Sequence, residues 1–200
     1  MIYNFINKNN FKENIMLKKI SLILTMVIIL TVGMQRKALA AYSDGASIGA
    51  SLFGGYPNSG LTLVGQFKGV PMMFGVNLGA GYGGAFGIGI TGDWWGYKKP
   101  LGKAGESDVH FYLGPGFAVN IGFGSHFWSV SAGIRMPIGF SFIIKQKWEI
   151  FLEPAPTLNV LYAHTGGVSI LGIDITKSGV HFYAPYLFSV AFQFGFRYWF

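Results

Sequence analysis

The chain has 200 residues, and few of them could do chemistry. His164, Asp174, Ser178 and His181 fall within one polar stretch between about 163 and 184. A hydroxyl, an imidazole and a carboxylate in one region are the parts of a hydrolytic site, but no nucleophile motif surrounds Ser178, and polar residues are common in loops. The stretch therefore reads as a long loop, with a β-prone segment from Val168 to Ile175. His110 and His126 complete the four histidines, and none shows an H-E-x-x-H or comparable ligand spacing. Gly79 to Gly84 matches G-x-G-x-x-G, but a dinucleotide site needs a helix next, and Ala85-Phe-Gly-Ile-Gly-Ile90 reads as a strand. No cysteine occurs, which removes thiol chemistry, disulfides and thiolate metal sites. No enzyme activity, cofactor or metal is expected.

The other reactive side chains are charges, and they are scarce. Only 12% of residues are charged, against about 25% in ordinary soluble domains. Of the net +7, +5 lies in residues 1–40, where Lys8, Lys12, Lys18, Lys19, Arg36 and Lys37 face one acid, Glu13. The basic balance therefore gives no support for nucleic-acid binding, which needs a basic stripe on the folded part. Lys18-Lys19, the apolar run Ile20 to Val32 and Ala38-Leu39-Ala40 have the order of a secretory signal peptide cleaved after Ala40. Met16 makes a more ordinary start for it than Met1. Residues 41–200 are expected to form the mature domain.

That domain alternates with period 2. Tyr186, Phe188, Val190, Phe192, Phe194, Phe196, Tyr198 and Phe200 are interleaved with Leu187, Ser189, Ala191, Gln193, Gly195, Arg197 and Trp199. Similar alternation runs through 108–121, 127–142 and 147–162, and more weakly through 46–55, 60–68, 72–81 and 85–95. Those are eight strands. In a soluble barrel the bulky residues point inward and the charges outward. Here the second face is Gly, Ser, Ala and Asn, which suits a crowded lumen, and the bulky face suits lipid. Strands in hydrocarbon must close into a barrel so that every backbone group is paired. Eight strands give a lumen filled by side chains. With both ends on one side, segment 96–107 is expected as a loop of about twelve residues on that side, where turns are usually short.

The terminal Phe200 behind Phe194, Phe196 and Tyr198 resembles the signal read by the outer-membrane barrel assembly machinery. The mature length is similar to that of eight-stranded OmpA-type barrels. More narrowly, Tyr112–Gly116, Ala132–Gly139 and Gly195–Phe200 resemble small spirochaetal barrel proteins with no assigned activity. The resemblance covers about residues 46–200, and the peptidoglycan-binding domain of OmpA itself is not part of it. It implies an all-β, up-and-down transmembrane barrel in the outer membrane, monomeric, surrounded by lipid and meeting an extracellular or host ligand through its outer loops.

On the inward face the alternation places Lys68, Asp93, Arg135, Glu149, Glu153 and Arg197, three bases and three acids. Lone ions in a narrow lumen are costly and paired ones tolerable, so these six are expected to form a network. OmpA-type barrels resemble this in having interior bridges that plug the lumen. For the network a structural plug is favoured over an ion gate; for the protein a structural or adhesive surface barrel is expected, with a narrow ion pore and a lipid-binding barrel with an apolar pocket as the alternatives.

Overall fold

A computed structural model describes residues 45–81, 85–176 and 179–200, apart from the side chain of Pro185. The signal peptide, its cleavage site and Met16 lie outside the described residues.

The strands are β1 (Ser47–Tyr56), β2 (Asn58–Gln66), β3 (Met72–Gly81), β4 (Phe86–Trp94), β5 (Tyr97–Ala104), β6 (Ser107–Leu113), β7 (Gly116–Phe123), β8 (Trp128–Arg135), β9 (Ile138–Ile144), β10 (Trp148–His164), β11 (Gly167–Ile170), β12 (Ile173–Thr176), β13 (Gly179–Phe182) and β14 (Phe188–Trp199). One helical turn, α1 (Ala184–Leu187), precedes β14. All pairing is antiparallel and joins the strands into one sheet. It closes on itself, because β10 pairs with β8 and β9 on one side and with β14 on the other, and β14 pairs with β1.

The closed wall has eight staves, three of them interrupted. β4 runs on into β5, β6 into β7, and β8 into β9. Pro115 and Pro137 sit at two of the interruptions, where a residue without an N–H cannot continue the ladder. The wall holds across them, since Gly114 donates to the Pro137 carbonyl and Met136 to the Pro156 carbonyl.

Segment 96–107 is the first correction. It is not a loop. β5 extends the fourth stave and pairs with β6 through a bulge between Pro100 and Gly102, leaving a turn at Gly105-Glu106. Lys98-Lys99-Pro100 and Gly102 hide this strand because they break the alternation. The next turn on that side covers Lys145, Gln146 and Lys147; Lys145 and Gln146 are both at positive φ (50° and 59°), and the Lys147 N–H closes the turn on the Ile144 carbonyl.

The faces sort by chemistry. Leu52 (62% exposed) and Phe194 (58%) stand on the outside, whereas Glu149 (0%) and Arg197 (1%) are sealed inside. Bulky inward side chains fit because glycines lie opposite them. Arg197 pairs with Gly49 and Tyr112 with Gly139, and in each case an added Cβ would strike the larger side chain. In the wide connection between β10 and β14, β11, β12 and β13 form a three-stranded tongue that continues from the upper edge of β10.

Candidate functional site: the lumen

The lumen has a filled half near the start of β1 and the end of β14 and an open half at the other mouth. The filled half contains five of the six charges expected there. Asp93, Gly116 and Arg135 are cross-strand partners on three adjacent staves. With only hydrogen at Gly116, the two side chains meet over it, and Arg135 Nε lies 3.0 Å from Asp93 Oδ1. Arg135 Nη2 also donates to Glu153 Oε1 at 2.9 Å. The Tyr112 hydroxyl donates to the other Glu153 oxygen at 2.8 Å.

Below this cluster lies a second. Arg197 and Glu149 are direct cross-strand partners. Arg197 Nε lies 3.2 Å from Glu149 Oε2, and Nη2 donates to Oε1 at 3.3 Å. The Trp199 indole donates to Glu149 at 2.7 Å. The Arg197 guanidinium packs on aromatic faces, 3.9 Å from the Phe151 centroid and 4.5 Å from that of Trp95. Trp95 in turn stacks on Tyr112 at 4.4 Å. Each charge is thus paired, and the guanidinium is also sheathed by rings, an arrangement that favours arginine over lysine.

Lys68 is the second correction. It lies exposed in the turn between β2 and β3, because β2 ends at Gln66 and the parity of the strand no longer governs residue 68. Lys98 on β5 is the base that the sequence reading missed. Its ammonium stands 5.2 Å from the Trp95 ring and 5.9 Å from that of Trp199. Tyr112, Phe151 and Trp199 were missed as well. Their signal was available, since each is a large aromatic on the face otherwise given to small and polar residues.

The open half is a cup of about 310 Å³ ringed by the hairpin ends remote from Ser47 and Trp199. Asn58, Asn120, Asn159, Ser131 and Thr157 supply amides and hydroxyls to a wall that also includes Phe53, Phe86, Ile121 and Phe127, with Tyr56, Tyr162 and Tyr186 lining it as well. Arg135, already paired with two carboxylates, forms part of the floor. Tyr162 and Tyr186 stack at 4.5 Å with 11° between their planes. Partial burial, then Tyr162 and Asp174, push the Tyr186 hydroxyl above its ordinary pKa, so it stays a neutral donor.

The tongue brings part of the polar stretch together. His164 Nε2 lies 3.2 Å from Asp174 Oδ1, and His181 is the cross-strand partner of Asp174. Ser178 lies outside the described residues, as do three residues of the Gly79–Gly84 match; β4 follows that match as a strand. The opposite face of the tongue bares Val168, Ile170, Ile175, Val180 and Phe182. Phe194, Phe196 and Phe200 are exposed on the outer surface, with Tyr198 packed edge-on against Trp148 at 4.9 Å.

No protein-family model matches the chain, and no curated protein matches it. Solved structures do resemble it. Neisserial surface protein A (NspA) aligns at 15% identity and TM-score 0.47 over 78% of this chain and 96% of its own. A major outer membrane protein from Thermus thermophilus aligns at 14% identity and TM-score 0.41, over 78% of this chain and 98% of its own. Acinetobacter baumannii CarO aligns at 12% identity and TM-score 0.31, over 76% and 97% respectively. The barrel assignment here stands on the closed strand pairing itself.

Proposed function

We propose that the protein is a small outer-membrane barrel of a double-membraned bacterium, held in lipid by its apolar exterior, with a sealed lumen. Its role is structural or adhesive, exercised through the outer loops, and it carries out no reaction. The observation that carries this reading is the pairing of Arg135 with Asp93 and Glu153, and of Arg197 with Glu149, inside the lumen among packed aromatic rings. An ion path would have to break those pairs, each of which becomes costly once one partner is left alone.

The exterior supports the cellular address. A soluble protein seldom bares more than a few hundred Å² of contiguous apolar surface, whereas here outward Leu, Ile and Phe side chains recur on stave after stave. The nine- and ten-residue strands β1, β2 and β3 suit a tilted crossing. The terminal Phe194, Phe196, Tyr198 and Phe200 would be read by the barrel assembly machinery, after export directed by residues 1–40. The affinity to small spirochaetal barrels rests on the three sequence segments quoted above. The tongue, which rises from the mouth opposite the end of β14, is the part offered to an extracellular or host partner. The protein works as a monomer.

Planar-bilayer recording tests the sealed lumen. The wild type, Arg197→Ala and Glu153→Ala should all show negligible conductance. Discrete channels in the wild type that change in either variant would establish the pore reading instead.

A further inference from the structure

We infer that the open cup is a binding site for a neutral, polyhydroxylated ligand of one ring, a saccharide unit. Two side chains on β10 carry the inference. Asn159 (6% exposed) and Thr157 (8%) are buried, line the cup, and find no hydrogen-bond partner among the described residues. Their polar atoms are not sealed but reach the open space of the cup, where solvent satisfies them and a ligand can take its place. Their partners must therefore come from what enters the cup. Asn159 faces Gly133 across the strand pair, so no neighbouring side chain fills the space beside it.

The lining selects the chemistry. Amides offer donors and acceptors together, and hydroxyls do the same. This is what a ligand with many hydroxyls needs, since each hydroxyl both gives and takes. The cup offers no free charge, because Arg135 is bound by Asp93 and Glu153, so neither an anion nor a cation finds a counter-ion. The phenol rings of Tyr56, Tyr162 and Tyr186 supply flat apolar faces for the C–H side of a sugar ring. A cavity of about 310 Å³ lies at the small end of ligand pockets. It is the space of about ten waters at roughly 30 Å³ each, enough for one ring and some solvent.

The inference relies on the proposed function only for the side of the membrane on which the cup opens. Binding by purified protein does not depend on that side, so failure of one is read separately from failure of the other. The test uses the refolded full barrel in a zwitterionic detergent without a sugar headgroup. Glucose, galactose, mannose and N-acetylglucosamine are titrated individually by saturation-transfer NMR and calorimetry, and the same sugars are presented as termini of immobilised glycans. At least one should bind saturably. Asn159→Leu should weaken it about tenfold, and Tyr186→Ala, which alters α1 and leaves the barrel wall intact, should weaken it comparably. Both variants should keep the heat-modifiable folded band. Tighter binding of the immobilised form would assign a surface glycan, and equal binding a free sugar. No binding by any of the four, or undiminished binding by whichever variants fold, would overturn the inference.

Discussion

The two halves of the lumen are built from the same alternating strands and have opposite solutions to the same problem. In the half that holds the start of β1 and the end of β14, the inward charges are paired with one another, while the Ser47, Trp95 and Ser141 side chains find no hydrogen-bond partner among the described residues. Asp93, Arg135, Glu153 and Tyr112 form one cluster, and Glu149, Arg197 and Trp199 another. At the far mouth, Asn159 and Thr157 are left to find partners in whatever fills the cup. A narrow barrel thus has no single interior character. Long charged and aromatic side chains close it, and short amides and hydroxyls keep it open. β10 contains both solutions within eleven residues of one strand, Glu149, Phe151 and Glu153 below and Thr157 and Asn159 above.

The comparison predicts unequal tolerance to mutation. Arg135→Ala should do the most damage, because it leaves the Asp93 and Glu153 carboxylates facing each other without a cation. A loss of about 3–5 kcal/mol is expected, read as a lowered temperature for conversion of the folded gel band or a lowered urea midpoint in vesicles. The triple change Asp93→Asn, Arg135→Met, Glu153→Gln should recover most of that stability, since buried ion pairs can often be replaced without loss. Failure of the triple to recover would show that packing, not charge, dominates the cluster.

Gly116→Val comes next. A side chain there would wedge between Asp93 and Arg135 and cost about 1–3 kcal/mol. Arg197→Lys should cost about 1–2 kcal/mol, because an ammonium cannot lie flat between the Phe151 and Trp95 rings. Smallest is Asn159→Leu in the cup, within about 0.5 kcal/mol in ligand-free protein, since no protein hydrogen bond is removed. A large destabilisation by Asn159→Leu would erase the distinction between the halves.

The barrel was legible in the sequence because period 2 persists along most staves and the two faces differ so much in side-chain size. The charges followed from the same parity, which correctly turned Asp93, Arg135, Glu149, Glu153 and Arg197 inward. Parity fails where a strand ends or shifts. Lys68 lies beyond the end of β2 and points to solvent. β5 escaped because its bulge and Pro100 destroy the alternation, while its pairing with β6 depends on a partner that no local pattern names. Which charges pair was beyond reach for another reason. Asp93 and Arg135 meet across an intervening stave, and only the register that places Gly116 between them shows it. The cup was invisible because Asn, Ser and Thr on an inward face look alike whether they pack or line a void.

The most direct test of a closed half beneath an open one is thiol accessibility, and the absence of native cysteine makes it clean. Asn159→Cys in the cup and Ser141→Cys, at a position fully buried in the closed half, are made singly and exposed on intact cells to a membrane-impermeant maleimide. The account predicts rapid labelling at 159 and none at 141 until the barrel is unfolded. Equal labelling at both positions would mean that water passes the ion pairs, and labelling at neither would mean that the cup does not face outward.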